Sequence, residues 1–200
     1  MSEQLKQLRD QIDAIDDELL QLVSKRAGLA QQIGKIKKSG IVYRPEREAQ
    51  ILARIQKQNP GPISSTHIKQ LFTEIMSLCR ALEKSMSVAY LGPNGTFSED
   101  AALKRFGSAI TTIACDSIDD VFRNVESDTA NYGVVPVENS TEGAVGRTMD
   151  LLLQTPLTIC GEIQLPVHQF LMAQQTDLSQ INKIYSHPQS LAQCHHWLKT

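Results

Sequence analysis

The feature that most constrains the fold is a run of apolar residues spaced alternately three and four positions apart near the N-terminus. These residues are Leu5, Leu8, Ile12, Ile15, Leu19, Leu22, Leu29, Ile33 and Ile36. Heptad spacing of this kind is typical of a helix that packs along one seam. A helix from residue 5 to residue 38 would be ~50 Å long at 1.5 Å per residue, too long for one small domain to cover. The pattern therefore predicts a partner chain, or a long helix folded back against this one.

Two shorter helices are predicted after the long one. Pro45 suits the first turn of a helix, and Asn59-Pro60-Gly61-Pro62 is expected to end it. Ser65 or Thr66 can cap a third helix. We therefore expect residues 1–86 to form an all-α domain of three helices, one of them very long.

Charge is distributed unevenly along the chain. Residues 1–86 hold 14 basic and 10 acidic side chains, a net charge of +4, whereas residues 87–200 hold 6 basic and 12 acidic ones, a net charge of −6. This reversal indicates two domains, 1–86 and 87–200. Neither the overall −2 nor the modest +4 is the clear basic excess that phosphate-driven binding requires, so no nucleic-acid partner is expected.

Other features of the sequence bear on the compartment. No apolar run approaches the roughly 20 residues that cross a bilayer, and the polar N-terminus carries no visible secretory signal. The cysteines form no CxxC pair, which argues against a zinc site; they are Cys79, Cys115, Cys160 and Cys194. We therefore expect a cytoplasmic protein with reduced thiols, no membrane partner and no bound metal.

A basic residue interrupts the heptad seam. The alternation demands a seam residue at position 26, and Arg26 stands there. An unpaired buried guanidinium is costly, so Arg26 needs an anion. Arg9 and Lys37 each follow a seam residue by one position, and Arg47 lies four residues before Ile51. Either these cations meet a small anion inside the helical domain, or they are surface residues, with Arg26 paired to a carboxylate across a coiled coil.

Two acids lie on the same apolar flanks. Glu48 precedes Leu52 by four positions, and Glu83 directly follows Leu82. An acid on an apolar flank tends to hold its proton, because desolvation disfavours the charged form. Several cations, one carboxylate and one protonated acid would together suit a small, multiply charged anion. The alternative at each position is a solvated or salt-bridged surface residue.

The segments LRDQIDAIDDELLQLVSKRAGLAQQIGKIK, YRPEREAQIL and LFTEIMSLCRALE resemble the all-helical chorismate mutases, in family order. The resemblance implies a homodimer of three-helix chains built around the long helix. It also implies the pericyclic rearrangement of chorismate to prephenate, which needs no cofactor. The positions that match the family's catalytic residues are Arg9, supplied by the partner chain, Arg26, Lys37, Arg47, Glu48 and Glu83.

The resemblance implies a role for each of these residues. Arg9 and Arg26 would bind the two carboxylates of the substrate, and Arg47 would help with one of them. Lys37 would bond to the breaking ether oxygen, and Glu48 would meet the substrate hydroxyl.

Two positions depart from the family pattern. Glu83 stands at the other ether-oxygen position, where some members have Gln, and a carboxylate cannot donate a hydrogen bond. Glu83 must therefore stay protonated, which predicts mutase activity that falls as the pH rises. Arg44 stands where some members carry an acid near the hydroxyl, which weakens the prediction of that contact.

The rest of the chain alternates strands and helices. Strands are predicted at 88–91, 110–115 and 133–137, and helices capped by Ser98 and Asp116 and at 144–153. This alternation predicts an α/β domain with a mostly parallel sheet, whose ligands lie beyond the strand ends.

Two polar turns lie where such a ligand would bind. Asn139, Ser140 and Thr141 are predicted at a helix N-terminus, where they suit a carboxylate or form an ordinary helix cap. His187 lies in a second strand-to-helix turn and is by itself weak evidence for acid–base catalysis. No GxGxxG or Walker pattern is present, so no nucleotide cofactor is expected.

The segments VAYLGPNGTFSEDAA, YGVVPVENSTEGAVGRTMDLLL, GEIQLPVHQFLM and YSHPQSLAQC resemble the first half of prephenate dehydratase. The resemblance implies a fold like that of two-lobed periplasmic binding proteins, and loss of water and CO2 from prephenate to give phenylpyruvate. The matching prephenate-binding positions are Asn139, Ser140, Thr141, Ser186, His187 and Gln193. The family's later Thr-Arg-Phe motif has no counterpart, so we expect an incomplete second domain and a polypeptide that makes prephenate but no phenylpyruvate.

The whole chain thus resembles the bifunctional chorismate mutase/prephenate dehydratases of phenylalanine biosynthesis, an isomerase joined to a lyase. The alternative from another class is a non-catalytic ligand sensor, with a helical dimerisation arm and an α/β module that binds a small anion. A helical nucleic-acid-binding domain is a weaker third reading, because no helix-turn-helix is evident.

Overall fold

The computed structural model describes residues 3–37, 43–139, 143–174 and 177–199, and its N-terminal part is helical. The three helices are α1 at Glu3–Ile36, α2 at Pro45–Gln58 and α3 at Ser65–Ala81. Pro45 opens α2, where its missing N–H leaves no helical hydrogen bond unmade. α3 packs against both other helices. The predicted three-helix arrangement with one very long helix is confirmed.

The apolar seam of α1 is largely exposed. No residue of α1 is buried, and Leu8, Ile12, Ile15 and Leu19 are each more than half exposed. A continuous apolar face of this length is typical of a surface that another element covers.

The α/β part is built on a parallel sheet, as predicted. Its strands are β1 at Ser87–Leu91, β2 at Thr111–Cys115 and β3 at Tyr132–Val134, in the order β2-β1-β3. In register, Ala89 lies beside Ile113 and Gly133. Val88, Ala89 and Tyr90 are fully buried, because the central strand of a parallel sheet is covered on both faces.

Three helices accompany this sheet: α4 at Phe97–Phe106, α5 at Ile118–Glu126 and α6 at Gly146–Gln154. α4 packs against β1 and β3, and α5 packs against all three strands and α6. Farther along the chain lie α7 at Pro188–Gln193 and α8 at His195–Leu198. Among the described residues from 155 to 187, the only regular element is a 3-10 turn at Leu178–Gln180.

The predicted helix caps were placed slightly wrong. α3 is capped by Ser64 rather than Ser65 or Thr66, and the Ser64 hydroxyl accepts a hydrogen bond from the His67 N–H at 3.3 Å. α4 is preceded by Thr96, not by Ser98. α5 is capped by Ser117, not Asp116, because a cap must stand one residue before the first helical turn to reach its free N–H groups.

The third strand and the loop after it also differ from the prediction. β3 ends at Val134 rather than residue 137, and Pro136 has no N–H to offer a neighbouring strand. A loop leading into a helix was predicted next. Instead, β4 at Glu138–Asn139 and β5 at Gly143–Ala144 pair as antiparallel strands before α6.

The helices meet the α/β part along α3 and α4. Tyr43 packs edge-on against Phe106 and Tyr132, with ring centroids 5.1 and 5.3 Å away. These rings belong to one core cluster with Met86, Val88 and Ala102. No helix in the described residues is both long and apolar enough to span a membrane.

Candidate active site

A cavity of about 370 Å³ lies between α1, α2 and α3 and is called the helical pocket below. Its apolar lining comes from Leu29, Ala30, Ile33, Ile51, Ile55, Phe72, Met76 and Cys79. Its charged lining comes from Arg26, Lys37, Arg44, Arg47, Arg54, Arg80, Glu48 and Glu83. Six cations against two acids leave a surplus of positive charge beside an apolar wall, which suits a small organic anion.

Five of the six residues predicted for a mutase site line this pocket: Arg26, Lys37, Arg47, Glu48 and Glu83. Arg9 does not line it. Arg9 lies 17 residues before Arg26 on the same helix, so the two are ~26 Å apart along the axis at 1.5 Å per residue. The roles assigned to these residues stay predictions.

Lys37 and Glu83 face each other at one end of the pocket. The Lys37 Nζ lies 3.8 Å from Oε2 of Glu83, whose side chain is only 9% exposed. Oε2 is buried and makes no hydrogen bond within the described part of the chain. Gly34 permits this approach, because a Cβ there would lie 3.0 Å from Cγ of Glu83. A partly exposed ammonium and a buried carboxyl oxygen thus converge where a ligand oxygen could bind both.

Arg26 enters the pocket from the interrupted seam. Its Nη1 donates a hydrogen bond to Sγ of Cys79 at 2.8 Å. Cys79 is 5% exposed and lines the same pocket. In the described residues, therefore, the contact recorded for Arg26 is a thiol rather than the carboxylate that the coiled-coil alternative proposes.

Arg80 was not among the predicted site residues, although it lines the pocket. It is 6% exposed. Its guanidinium donates one hydrogen bond to Oε1 of Glu48 and another to the carbonyl oxygen of Phe106. Its guanidinium carbon lies 5.2 Å from the centre of the Tyr43 ring, and burial raises the pKa of the Tyr43 hydroxyl while Arg105 opposes that rise.

The helical spacing of residues on α3 could have predicted Arg80 and Cys79 as pocket residues. The pocket residues of α3 are Met76, Cys79, Arg80 and Glu83, spaced as i, i+3, i+4 and i+7. That spacing places all four on one face of the helix.

A second, smaller cavity of about 190 Å³ shares Glu48 with the helical pocket. Tyr43, Lys69, Thr73 and Arg105 are among its lining residues. The cavity thus extends from α2 and α3 to α4 of the α/β part.

Of the residues predicted to bind prephenate, the described ones do not line either cavity: Asn139, Ser186, His187 and Gln193. Asn139 is on β4, not at a helix N-terminus as predicted, because it pairs with Gly143 of β5 in an antiparallel arrangement. Ser140 and Thr141 lie outside the described residues. No common site of these three residues is therefore described.

The remaining predicted residues lie near α7. Ser186 and His187 are exposed, and the described residues from 177 to 187 contain no strand, contrary to the predicted strand-to-helix turn. His187 caps α7, with Nδ1 accepting from the Gln189 N–H at 3.3 Å in the assigned tautomer. Gln193 accepts a hydrogen bond from the side-chain amide of Gln169 at 3.0 Å. Across the described ranges, no group of three or more His, Cys, Asp or Glu side chains could hold a metal ion.

Two family profiles match the chain and together cover most of it. The profile described as prephenate dehydratase matches residues 88–200, and the one described as chorismate mutase type II matches residues 8–84. A bifunctional chorismate mutase/prephenate dehydratase of Pseudomonas aeruginosa is 48% identical over 204 residues, covering 98% of this chain and 56% of that protein. Its counterpart of the same description in Escherichia coli is 36% identical over 213 residues, covering 96% of this chain and 55% of that protein. The chain spans about half the length of the curated relatives it matches.

Solved structures are similar to part of the chain. A chorismate mutase from Helicobacter pylori in complex with prephenate is 31% identical, covers 42% of this chain and 92% of its own, and has a TM-score of 0.40. A chorismate mutase from Thermus thermophilus is 36% identical, covers 41% of this chain and 96% of its own, and also has a TM-score of 0.40.

Proposed function

Because this chain belongs to the prephenate dehydratase family and carries a chorismate mutase type II region ahead of it, we propose that its helical pocket rearranges chorismate to prephenate. The observation that carries the proposal is the convergence of Arg26, Lys37, Arg47, Glu48 and Glu83 on one pocket. The substrate is a dianion, and the cationic surplus of the pocket supplies its counter-charge. The family match does not favour the non-catalytic sensor.

The proposed reaction is a pericyclic rearrangement, so the pocket needs neither a nucleophile nor a cofactor. Its residues hold the substrate in a compact reactive shape and stabilise negative charge on the ether oxygen as its bond breaks. Lys37 and Glu83 are the pair for that oxygen, since their polar atoms are 3.8 Å apart and share one end of the pocket. Arg26 and Arg47 bind carboxylate, and Glu48 accepts from the hydroxyl.

We also propose that Arg9, the sixth predicted residue, reaches the pocket of a second copy of the chain. A homodimer along α1 would cover the exposed seam and place the partner copy's equivalent of Arg9 at this pocket. The exposed seam and the ~26 Å between Arg9 and Arg26 along one helix both support this arrangement.

For the α/β part, we propose prephenate as the ligand, with dehydration to phenylpyruvate as the reaction of the full-length relatives. The match of residues 88–200 to the dehydratase profile supports this. The proposed ligand contacts are Asn139, Ser140, Thr141, Ser186, His187 and Gln193. We further propose a boundary between domains at residues 86 and 87, a lobe like that of periplasmic binding proteins, and a cytoplasmic place in phenylalanine biosynthesis.

Chorismate consumption and prephenate formation, followed by liquid chromatography, test the mutase proposal. We expect turnover by the unsubstituted chain and loss of at least about 100-fold in Arg26→Ala, because a carboxylate then loses its charged partner. Arg123→Ala is the matched control, since Arg123 is exposed on α5 and pairs with Asp120. Absence of turnover in the unsubstituted chain would overturn the proposal, and equal loss in both variants would show that the effect is unrelated to the pocket.

A further inference from the structure

Arg80 lines the helical pocket and connects it to the α/β part. Among the described pocket residues, it alone has recorded hydrogen bonds both to a pocket acid and to the α/β part. One nitrogen donates to Glu48, which faces the pocket from α2. The other donates to the backbone carbonyl of Phe106, the last residue of α4. One guanidinium therefore connects the proposed contact for the substrate hydroxyl to the second part of the chain.

The surroundings fix the Arg80 guanidinium in place. Its side chain is 7% exposed and that of Glu48 is 15% exposed, so little water competes for either partner. The planar guanidinium lies near the Tyr43 ring, a favourable cation–π arrangement. Hydrogen bonds between charged groups strengthen when they are shielded from water, so this pair should restrict how the Glu48 carboxylate turns.

The carbonyl that Arg80 binds is itself held against α3. The turn after α4 is anchored by Glu74, whose carboxylate accepts from the Ser108 N–H at 2.9 Å and from the Ser108 hydroxyl. The Ala109 N–H donates to the Ser77 hydroxyl at 3.1 Å. Glu74 and Ser77 of α3 thus hold the turn that follows Phe106 through hydrogen bonds. These bonds help to position the Phe106 carbonyl oxygen that accepts from Arg80.

We infer that Arg80 is a positioning residue: it holds Glu48 in the orientation that meets the substrate, and it is held in turn by the Phe106 carbonyl of the α/β part. The inference rests on the proposed mutase function. It means that the pocket is completed by contacts from outside the three helices. Removing the guanidinium takes this partner away from the largely shielded Glu48 side chain and leaves that side chain free to turn. A change at Arg80 should therefore impair the reaction through Glu48.

A double-mutant cycle between Arg80→Met and Glu48→Gln, measured on the whole chain, separates positioning from general structural support. Met matches the length of the Arg stem and removes its charge. If Arg80 acts through Glu48, kcat for chorismate falls by about tenfold or more in Arg80→Met. In the Glu48→Gln background the same change alters kcat by no more than about twofold, because the group it positions has already been altered.

Arg123→Met, on the exposed face of α5, should leave kcat unchanged. Circular dichroism checks folding, and if Arg80→Met does not fold, the cycle is run with Arg80→Lys, whose single ammonium cannot replace a planar fork that binds two acceptors. Additive losses, or unchanged kcat in a folded Arg80 variant, overturn the inference while turnover by the unsubstituted chain upholds the proposed function. No turnover by the unsubstituted chain overturns both.

Discussion

Nζ of Lys37 and Oε2 of Glu83 lie 3.8 Å apart, one just beyond the C-terminal end of α1 and the other just beyond α3. Gly34 of α1 packs against the Glu83 side chain, since a Cβ there would lie 3.0 Å from Cγ of Glu83. Two groups that would share one substrate oxygen are therefore positioned by the ends of different helices, and small changes in either helix should move them apart.

Gly34→Ala should lower mutase kcat by roughly tenfold, because a misplacement of a few tenths of an ångström at reacting groups is costly. The added Cβ would lie 3.0 Å from Cγ and 3.3 Å from Oε2 of Glu83, so the carboxyl must shift. Gly28→Ala is the matched control on the same helix, since a Cβ there meets nothing within 4 Å. Gly28→Ala should keep its kcat and gain up to about 1 kcal/mol of stability from helix propensity. Equal kcat in both variants would contradict this prediction.

Glu83→Gln should keep mutase kcat at or above that of the unsubstituted chain. The Gln amide can donate a hydrogen bond to the ether oxygen, whereas a carboxylate cannot. The measurement is kcat of variants whose fold circular dichroism shows to be intact. The exposed Glu46→Gln is the control and should leave kcat unchanged. A fall of about tenfold or more in folded Glu83→Gln would refute the prediction.

Gly107→Ala should weaken the mutase reaction from a position outside the helical pocket. Gly107 has a φ of +77°, and its Cβ would lie 2.3 Å from Cβ of Ser77. The turn that presents the Phe106 carbonyl to Arg80 must therefore move, and kcat should fall severalfold. This prediction depends on the positioning role inferred for Arg80.

Gly133→Ala is the control for Gly107→Ala. Its Cβ would lie 2.9 Å from Cγ1 of Val121, inside the α/β part and away from Arg80. Both variants should lower the melting temperature, since each forces packed atoms apart. Only Gly107→Ala should lower kcat; an equal fall in both would mean that destabilisation alone explains it.

The helices and the parallel sheet were predictable because their patterns are local. The alternating spacing from Leu5 to Ile36 describes α1 almost to its ends, and three short apolar runs locate β1 to β3. The same local logic brings Arg26, Lys37 and Glu83 toward the interior, each near an apolar face. Caps were displaced by one or two residues because several neighbouring polar side chains can each satisfy a free N–H.

The contacts that the sequence could not predict join residues that are far apart along the chain. Arg80 lies 32 residues from Glu48 and 26 from Phe106, and no periodicity links α2, α3 and α4. The β4–β5 pairing includes Gly143 at a positive φ, which a pattern of apolar residues does not encode. Sequence periodicity thus predicts which face of a single helix or strand is apolar. Which of those faces pack against each other becomes known only from the three-dimensional structure.

Complementation between two inactive variants tests whether Arg9 acts in the pocket of a second copy. In a mixed dimer of Arg9→Ala and Arg26→Ala chains, one pocket keeps its own Arg26 and receives an intact Arg9 from the other chain, while the second pocket lacks both. Random reassortment makes half of the dimers mixed, so an equimolar mixture should recover about a quarter of the unsubstituted activity.

The matched control mixes Arg26→Ala with Lys37→Ala. Both residues line the pocket of their own chain, so every pocket in a mixed dimer still lacks one of them and no activity should return. The mixtures are unfolded and refolded together to ensure exchange, and size-exclusion chromatography verifies the dimer. If the mixture of Arg9→Ala and Arg26→Ala gives only the sum of its parts while dimers form, Arg9 does not act in the pocket of a second copy.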